Sequence, residues 1–269
     1  MKKKELFITQ NPRRTKSRIK MKLNFSDYEI EKARQVLSKH IPEEITKESA
    51  LESLLFCIAS QAMRWELASD FVKSLRQKSF GKYSSWEILI NKNLVHETSK
   101  EKGYRFHHER RFDCAIDYFQ NNDFNSEEIM NANIKTRREY CEQIKFLGNK
   151  TFSFWHLCLG GKNLLALDVH VLRGLNKLGI DMDEYYFASK PRGKGNQKIR
   201  KTPNEKDYLR IEDDARNLFS EDERFFISNG KVDMALVDAL LWWKGASRNG
   251  TMQLYLPGED FQEFSYLPY

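Results

Sequence analysis

The sequence predicts an all-α protein of two helical lobes, and three observations support this prediction. Apolar residues recur at spacings of three and four along most of the chain, which is the period of a helix that buries one face. No blocks of alternating apolar and polar residues separate these segments. The chain has 269 residues, 40% of them hydrophobic, which suits one compact body of two lobes better than two independent proteins.

Amphipathic helices are predicted in three segments. Their apolar stripes are Ile30, Ala33, Val36 and Leu37; Phe112, Ala115, Ile116 and Phe119; and Ile211, Ala215, Leu218 and Phe219. A further helix is predicted from Glu48 to about Gln77, and its first half is apolar on nearly all sides, as in a central, buried helix. The segment WEILI at 86–90 fits either a short strand or a buried turn of helix.

Basic residues are concentrated at the start of the chain. The formal net charge is +7 and the sequence pI is about 9.1, which favours a polyanionic partner such as nucleic acid. Nine cations precede the first helical pattern, with Glu5 as their only acidic neighbour: Lys2, Lys3, Lys4, Arg13, Arg14, Lys16, Arg18, Lys20 and Lys22. Residues 1–26 are therefore predicted to form a mobile basic arm ahead of a helical body at 27–269.

Residues 188–207 contain glycine, proline and many cations but almost no apolar side chains, which predicts a flexible basic loop within that body. This loop is either a solvated connector or a cationic flap that meets phosphate. The four cysteines are widely spaced, so the sequence contains neither a disulfide framework nor a close-spaced zinc or iron–sulfur ligand set. We expect a protein that uses neither a metal nor an organic cofactor. No stretch is apolar enough to span a bilayer or to act as a signal peptide, and we expect an intracellular monomer.

A helix-hairpin-helix is predicted at residues 136–161, TRREYCEQIKFLGNKTFSFWHLCLGG. The first helix ends near Phe146, a tight connection that includes Gly148 follows at 147–149, and the second helix ends at residues 160–161. Backbone N–H groups at the second helix start would bind a DNA phosphate. Lys150 lies in that first turn, where the helix dipole disfavours a cation. It is either a solvated lysine or, if buried and neutral, a nucleophile.

Asp168 precedes VHVLRGLNKLGI, a segment with a helical apolar pattern, and is therefore predicted to be its N-cap. A carboxylate held at a helix start also stays ionised and fixed in direction. Such a group can stabilise a developing cation, so capping and catalysis are compatible at this position.

The segment FLGNKTFSFWHLCLGGKNLLALDVHVLRGL at 146–175 resembles the signature of the helix-hairpin-helix DNA glycosylases, and its lysine is typical of their bifunctional members. The segments GYRFHHERRFDCAIDYF and DMALVDALLWWKGA are similar to archaeal-type 8-oxoguanine DNA glycosylases, so the resemblance covers about residues 48–245. One position departs from the family pattern, because Phe146 stands where the hairpin usually has its first glycine.

The resemblance implies that a damaged purine, flipped out of duplex DNA, binds in a cleft between the lobes. Lys150 would attack the sugar C1′ and Asp168 would stabilise the sugar cation. The resulting Schiff base would permit β-elimination on the 3′ side. An amine nucleophile and a fixed anion are the two groups that this chemistry requires.

Asp238 and Trp242 lie four residues apart on one face of a predicted helix from about Val232 to Lys244. The resemblance implies that they line the base pocket, the acid accepting from purine N–H groups and the indole stacking on the ring. The alternative is a solvated acid beside a core tryptophan. Trp243 points about 100° away and is predicted to lie in the core.

Two further polar residues are candidates. Gln61 occupies a position where family members often place a polar side chain facing the cleft, or it pairs with a neighbouring backbone group. His170 either contacts a DNA phosphate or packs and caps locally.

Together with these residues, the resemblance implies a bifunctional DNA glycosylase and abasic-site lyase that excises 8-oxoguanine from double-stranded DNA in base excision repair. A glycosylase for another oxidised base and a non-catalytic helix-hairpin-helix DNA-binding protein remain alternatives.

Overall fold

The computed structural model describes residues 23–40, 44–61, 65–78, 84–180, 182 and 203–246. Within these ranges the chain forms twelve α-helices and one 3-10 turn, and the one strand-like pairing there is a single bridge between Phe226 and Val232. The helices are α1 Asp27–His40, α2 Lys47–Ala59, α3 Trp65–Lys78, α4 Ser85–Leu89, α5 Lys92–Glu101, α6 Phe106–Asn121, α7 Ser126–Met130, α8 Ile134–Gln143, α9 Asn149–Cys158, α10 Val169–Lys177, α11 Glu205–Phe219 and α12 Met234–Ala246. The predicted all-α class is confirmed.

Buried side chains form two large clusters, which correspond to the two predicted lobes. The first is built by α2 to α9 and contains Phe56, Phe112 and Trp155. The second is built by α1, α10, α11 and α12 and contains Phe219 and Trp243. Helix α9 thus belongs to one lobe and α10 to the other. The two helix starts that carry the candidate lysine and aspartate therefore come from opposite lobes.

The predicted central helix is divided into two. Helix α2 begins with a capping box at Thr46 and Ser49, and every residue from Ala50 to Ala59 is buried, as its apolar sequence predicts. The prediction of one continuous helix to Gln77 is wrong, because α2 ends at Ala59 and α3 begins at Trp65. A tight turn closes α2, with the Gln61 N–H bonded to the Ile58 carbonyl at 3.2 Å.

The amphipathic stripes lie on α1, α6 and α11, as predicted. The segment at 86–90, for which strand and helix were both open, contributes to the short helix α4. Ser84 and Glu87 form a capping box at the start of α4. This reciprocal pair of bonds stabilises the first turn and explains the helical outcome.

The packed body includes residues 23–26, since Phe25 is buried and its ring lies 6.0 Å from that of Phe219. The rest of the predicted basic arm lies outside the described residues, as does the chain after Ala246. Of the predicted loop at 188–207, residues up to 202 also lie outside, and residues 205–207 form the first turn of α11. No helix in the described ranges is long and apolar enough to cross a membrane.

Candidate active site

The connection between α8 and α9 is longer than predicted. Helix α8 ends at Gln143 instead of near Phe146, and the Leu147 N–H bonds back to the Ile144 carbonyl at 3.0 Å in a tight turn. Gly148 is the N-cap of α9 in an extended conformation. Its carbonyl accepts the first helical bond, from the Phe152 N–H at 3.0 Å.

Phe146 adopts a left-handed backbone conformation, with a φ of 71°. L-residues with a side chain rarely take this conformation, which costs roughly 1–2 kcal/mol, whereas glycine takes it freely. The chain therefore keeps the backbone of a glycine at the position where the resembling hairpins have one. The Phe146 ring is 50% exposed, and the Lys145 ammonium lies 5.4 Å from its centroid.

Lys150 is the second residue of α9 and is exposed to solvent. The predicted position in the first turn is confirmed, and of the two surroundings left open for the amine, solvent and the protein interior, the structure shows solvent. Thr151 and Phe152, which follow Lys150 in the same turn, are buried, so only the very start of α9 faces solvent. Gly148 is exposed as well, and the open space around its Cα leaves the start of α9 accessible.

Asp168 caps α10, as its sequence position predicts. Its Oδ1 accepts hydrogen bonds from the backbone N–H groups of His170 at 2.7 Å and Val171 at 2.8 Å. Both bonds end on Oδ1, so the cap does not use Oδ2. The side chain is half-buried. The carboxylate is thus fixed in direction by two backbone donors at the positive end of a helix.

Helices α10 and α12 cross at very close range. A β-carbon at Gly245 would lie 1.7 Å from the carbonyl oxygen of His170, and one at Gly174 would lie 2.2 Å from that of Leu241. Both positions therefore require glycine. The crossing places the rings of His170 and Trp242 with centroids 5.0 Å apart, next to the start of α10.

Asp238 lies inside the protein, behind the segment that leads to Asp168. It is 4% exposed, and its Oδ1 accepts a hydrogen bond from the Ala166 N–H at 3.0 Å. Burial, and then the charge of Asp168, raise the pKa of Asp238 well above its usual value, while the Ala166 N–H and the Lys150 charge act in the opposite direction. Lys150 and Asp168 therefore both lie within electrostatic reach of Asp238. The solvated-acid alternative for Asp238 is excluded.

The other predicted positions on α12 differ in exposure. Trp242 is half-buried and Trp243 is buried, so the assignment of Trp243 to the core is confirmed. The helix itself begins two residues later than predicted, at Met234, and continues to Ala246.

Gln61 lies beside the start of α9, at the turn that follows α2. Its Nε2 donates to the Thr151 hydroxyl at 2.5 Å, and its Oε1 accepts from Arg111. Its carbonyl oxygen accepts from Nε2 of His108 at 3.1 Å. The amide therefore pairs with side chains rather than with backbone groups. It connects α6 to the residue that follows Lys150.

Three residues near the site were missed from the sequence, namely Arg137, Tyr208 and Glu212. All three are buried in the structure. The sequence did contain a signal for Glu212, since it lies on the same helix face as the apolar residues Ile211 and Ala215 and as Tyr208. A carboxylate in an apolar stripe requires a buried partner. The partner, Arg137, lies 75 positions earlier, so spacing alone does not reveal it.

Within the described ranges, no group of three or more His, Cys, Asp or Glu side chains is arranged so that it could hold a metal ion. Cys57 and Cys158 are buried with their sulfur atoms 3.8 Å apart, and burial raises the pKa of Cys158 well above its usual value.

The chain resembles the crystal structure of Methanocaldococcus jannaschii 8-oxoguanine glycosylase/lyase in complex with 15mer DNA containing 8-oxoguanine. The TM-score is 0.53 at 21% sequence identity, over 80% of this chain and 87% of that chain. A crystal structure of Methanocaldococcus jannaschii 8-oxoguanine DNA glycosylase matches with a TM-score of 0.52 at 19% identity, over 81% of this chain and 94% of that chain. The fold is that of these two structures. No protein-family model matches the chain, and no curated protein matches it.

Proposed function

We propose that this protein is a bifunctional DNA glycosylase and abasic-site lyase, which excises 8-oxoguanine from double-stranded DNA through a lysine Schiff base. The observation that carries the proposal is an accessible amine, Lys150, and a rigid carboxylate, Asp168, at the starts of two helices from opposite lobes, both within electrostatic reach of the buried Asp238. The fold shared with two 8-oxoguanine glycosylase structures supports the same function. The protein would act in base excision repair, as a monomer and without a cofactor.

The proposed reaction begins with displacement of the base. The Lys150 amine attacks C1′ of the extruded nucleotide as the bond from C1′ to the base nitrogen breaks, and the electron pair of that bond leaves with the base. Positive charge develops on the sugar in this step. The fixed Asp168 carboxylate stabilises that charge without reorganising, since the two backbone donors already hold it. The attack requires a neutral amine, so the exposed Lys150 ammonium first passes a proton to solvent.

Strand cleavage follows from the covalent intermediate. Once the sugar ring opens, C1′ and the Lys150 nitrogen form an imine, which makes the C2′ hydrogen acidic. Loss of this proton breaks the bond from C3′ to its phosphate oxygen, and hydrolysis of the imine frees the enzyme. An exposed Lys150 suits this sequence, because its nitrogen must reach an extruded sugar and water must later reach C1′ of the imine, where it adds before the bond from C1′ to nitrogen breaks.

Asp238 and Trp242 are proposed to contact the extruded base. The half-buried indole of Trp242 offers a stacking surface, and stacking is tolerant of base identity. Discrimination would then depend on Asp238. Its Oδ1 is bonded to Ala166, so a base would meet Oδ2. The raised pKa of Asp238 means that its protonation state decides whether Oδ2 accepts from base N–H groups or donates to base oxygens.

The DNA backbone is proposed to bind at the same two helix starts. Gly148 leaves the first N–H groups of α9 open to a phosphate, and the position of His170 in the first turn of α10 suits a second phosphate contact. The partner would therefore be duplex DNA that carries oxidised guanine.

A panel of duplexes tests this proposal. The protein is incubated with strands that carry 8-oxoguanine, an oxidised pyrimidine, a preformed abasic site or no lesion, and base release and strand cleavage are measured separately. We expect release of 8-oxoguanine and cleavage at the abasic site. Cleavage of the pyrimidine duplex alone would support a glycosylase for another lesion. Binding without any cleavage would support a DNA-binding protein.

A further inference from the structure

The segment that carries Asp168 crosses the interior at residues 163–168, outside any helix. Buried backbone groups need partners, and here side chains supply them. Glu212 Oε1 accepts from the Leu165 N–H at 2.7 Å. The Tyr208 hydroxyl donates to the Leu165 carbonyl at 2.7 Å and accepts from the Leu167 N–H at 3.0 Å. One tyrosine hydroxyl therefore holds the backbone on both sides of residue 166, and it does so directly before Asp168.

Arg137 connects this segment to the helix of Lys150. Its guanidinium donates to Glu212 Oε2 at 3.0 Å and to the Ser153 hydroxyl at 3.0 Å. It also lies 4.8 Å from the centroid of the Tyr208 ring. Ser153 is a buried residue of α9, about one helical turn after Lys150. A single buried cation thus links α9, which carries the amine, to α11, which holds the aspartate segment.

Stability alone explains this arrangement poorly. Arg137 and Glu212 are each 1% exposed, and the cost of removing two charges from water offsets much of their attraction, so apolar residues of similar volume often stabilise a protein as well or better. What the ion pair and the hydroxyl provide is a defined geometry between two lobes.

We infer that Tyr208, Glu212 and Arg137 are positioning residues, which set the placement of the Asp168 carboxylate relative to the Lys150 amine. The inference rests on the proposed glycosylase function. Tyr208 acts on the backbone next to Asp168, and Arg137 relates that backbone to α9. None of the three side chains reaches the substrate, and each acts through Asp168.

Tyr208→Phe gives the sharpest test, because it keeps the ring beneath the Arg137 guanidinium and removes only the hydroxyl. Small misplacements of catalytic groups are costly, so we expect the single-turnover rate of 8-oxoguanine excision to fall roughly 10- to 100-fold. The affinity for the lesion duplex should stay within about twofold of the wild type, since substrate binding does not use this hydroxyl.

Tyr140→Phe is the matched control. Tyr140 is also a buried tyrosine, 4% exposed, and its side chain interacts with Tyr118 and Glu128, away from the 163–168 segment. The control should lose thermal stability to a similar extent as Tyr208→Phe but should excise the base at the wild-type rate. Equal losses of excision in the two variants would overturn the positioning role.

A double-mutant cycle with Asp168→Asn separates positioning from general destabilisation. If Tyr208 acts through the Asp168 carboxylate, adding Tyr208→Phe to Asp168→Asn should lower excision by less than about twofold. The inference would be overturned if Tyr208→Phe lowered the excision rate by the same factor in the wild type and in Asp168→Asn, or if Tyr208→Phe alone excised the base at the wild-type rate. Either result would leave the glycosylase function standing. If the wild-type protein excises no base, the proposed function fails and this inference fails with it.

Discussion

At the scale of single residues, the candidate site uses three ionisable side chains in three different environments. Lys150 is exposed, Asp168 is half-buried and fixed by two backbone N–H groups, and Asp238 is buried behind them. Neighbouring titratable groups with different surroundings take different roles in a reaction. The exposed amine suits attack on an extruded sugar, the fixed carboxylate suits stabilisation of charge, and the buried acid suits recognition and support.

Asp238 should make the stability of the protein depend on pH. Its pKa in the folded state lies well above 3.8, the value of an unperturbed aspartate, because burial and the Asp168 charge disfavour the ionised form. At a pH above 3.8 but below the folded-state pKa, the Asp238 carboxyl loses its proton in the unfolded chain and keeps it in the folded protein. The free energy of unfolding therefore falls by up to about 1.4 kcal/mol per pH unit until the folded-state pKa is reached.

Asp238→Asn should abolish this decline, because asparagine cannot ionise and still accepts the Ala166 N–H. Denaturant unfolding of both proteins between about pH 4 and about pH 8 measures the effect. We predict that the variant gains stability relative to the wild type as the pH rises. A difference that stays constant across this range would show that Asp238 ionises in the folded state as readily as in the unfolded chain.

At the scale of elements, the site depends on how the helices begin and how closely they cross. Helices α9 and α10 carry Lys150 and Asp168 at their N-terminal ends. Helix α10 lies close to α12 because Gly174 and Gly245 have no side chains that would separate the two helices. The crossing fixes Trp242 beside His170, and Asp238 beneath the segment before α10.

The backbone of Phe146, in the hairpin between α8 and α9, is strained by its left-handed conformation, and substitutions can test this. Phe146→Gly should be more stable than Phe146→Ala by roughly 1 kcal/mol, because only glycine takes a left-handed conformation without cost. At an ordinary exposed position the order is reversed. Lys145 is exposed and has no left-handed backbone, so Lys145→Ala should be more stable than Lys145→Gly. Thermal unfolding of the four variants measures these differences. The same order of stability of the glycine and alanine variants at both positions would contradict the claim that the Phe146 backbone is strained.

Local patterns predicted the elements that depend on neighbouring residues. The Asp168 cap follows from residues within three positions, and the buried first half of α2 follows from its composition. The break after α2 was not predicted, since neither glycine nor proline marks it. That break places Gln61 in contact with Thr151, 90 positions later in the sequence. Helical periodicity relates residues a few positions apart and cannot predict such a contact. The Arg137 and Glu212 pair escaped prediction for the same reason.

At the scale of the whole molecule, the two lobes divide the proposed chemistry between them. The amine comes from the lobe built by α2 to α9, and the carboxylates come from the lobe of α10 to α12. Both must therefore be packed correctly against each other before the site exists. The buried contact of Arg137 with Glu212 is one of the connections that join them.

The basic N-terminal segment should act on the DNA backbone alone. Deleting residues 1–22 removes nine cations, so binding to any duplex should weaken on the order of tenfold at physiological salt, and its salt dependence should become shallower. Affinities for lesion and undamaged duplexes at several salt concentrations test this prediction. The ratio between the two duplexes should not change, and a shifted lesion preference would assign the segment a role in base recognition.

The most direct test of the central claim is covalent trapping on an 8-oxoguanine duplex under borohydride, which reduces an imine between protein and DNA to a stable bond. Lys145→Gln is the matched control, since Lys145 is an exposed lysine of the same hairpin. We predict an adduct with the wild type and with Lys145→Gln, and none with Lys150→Gln, although all three bind the duplex. An adduct formed by Lys150→Gln would contradict the account, because another amine would then carry the reaction.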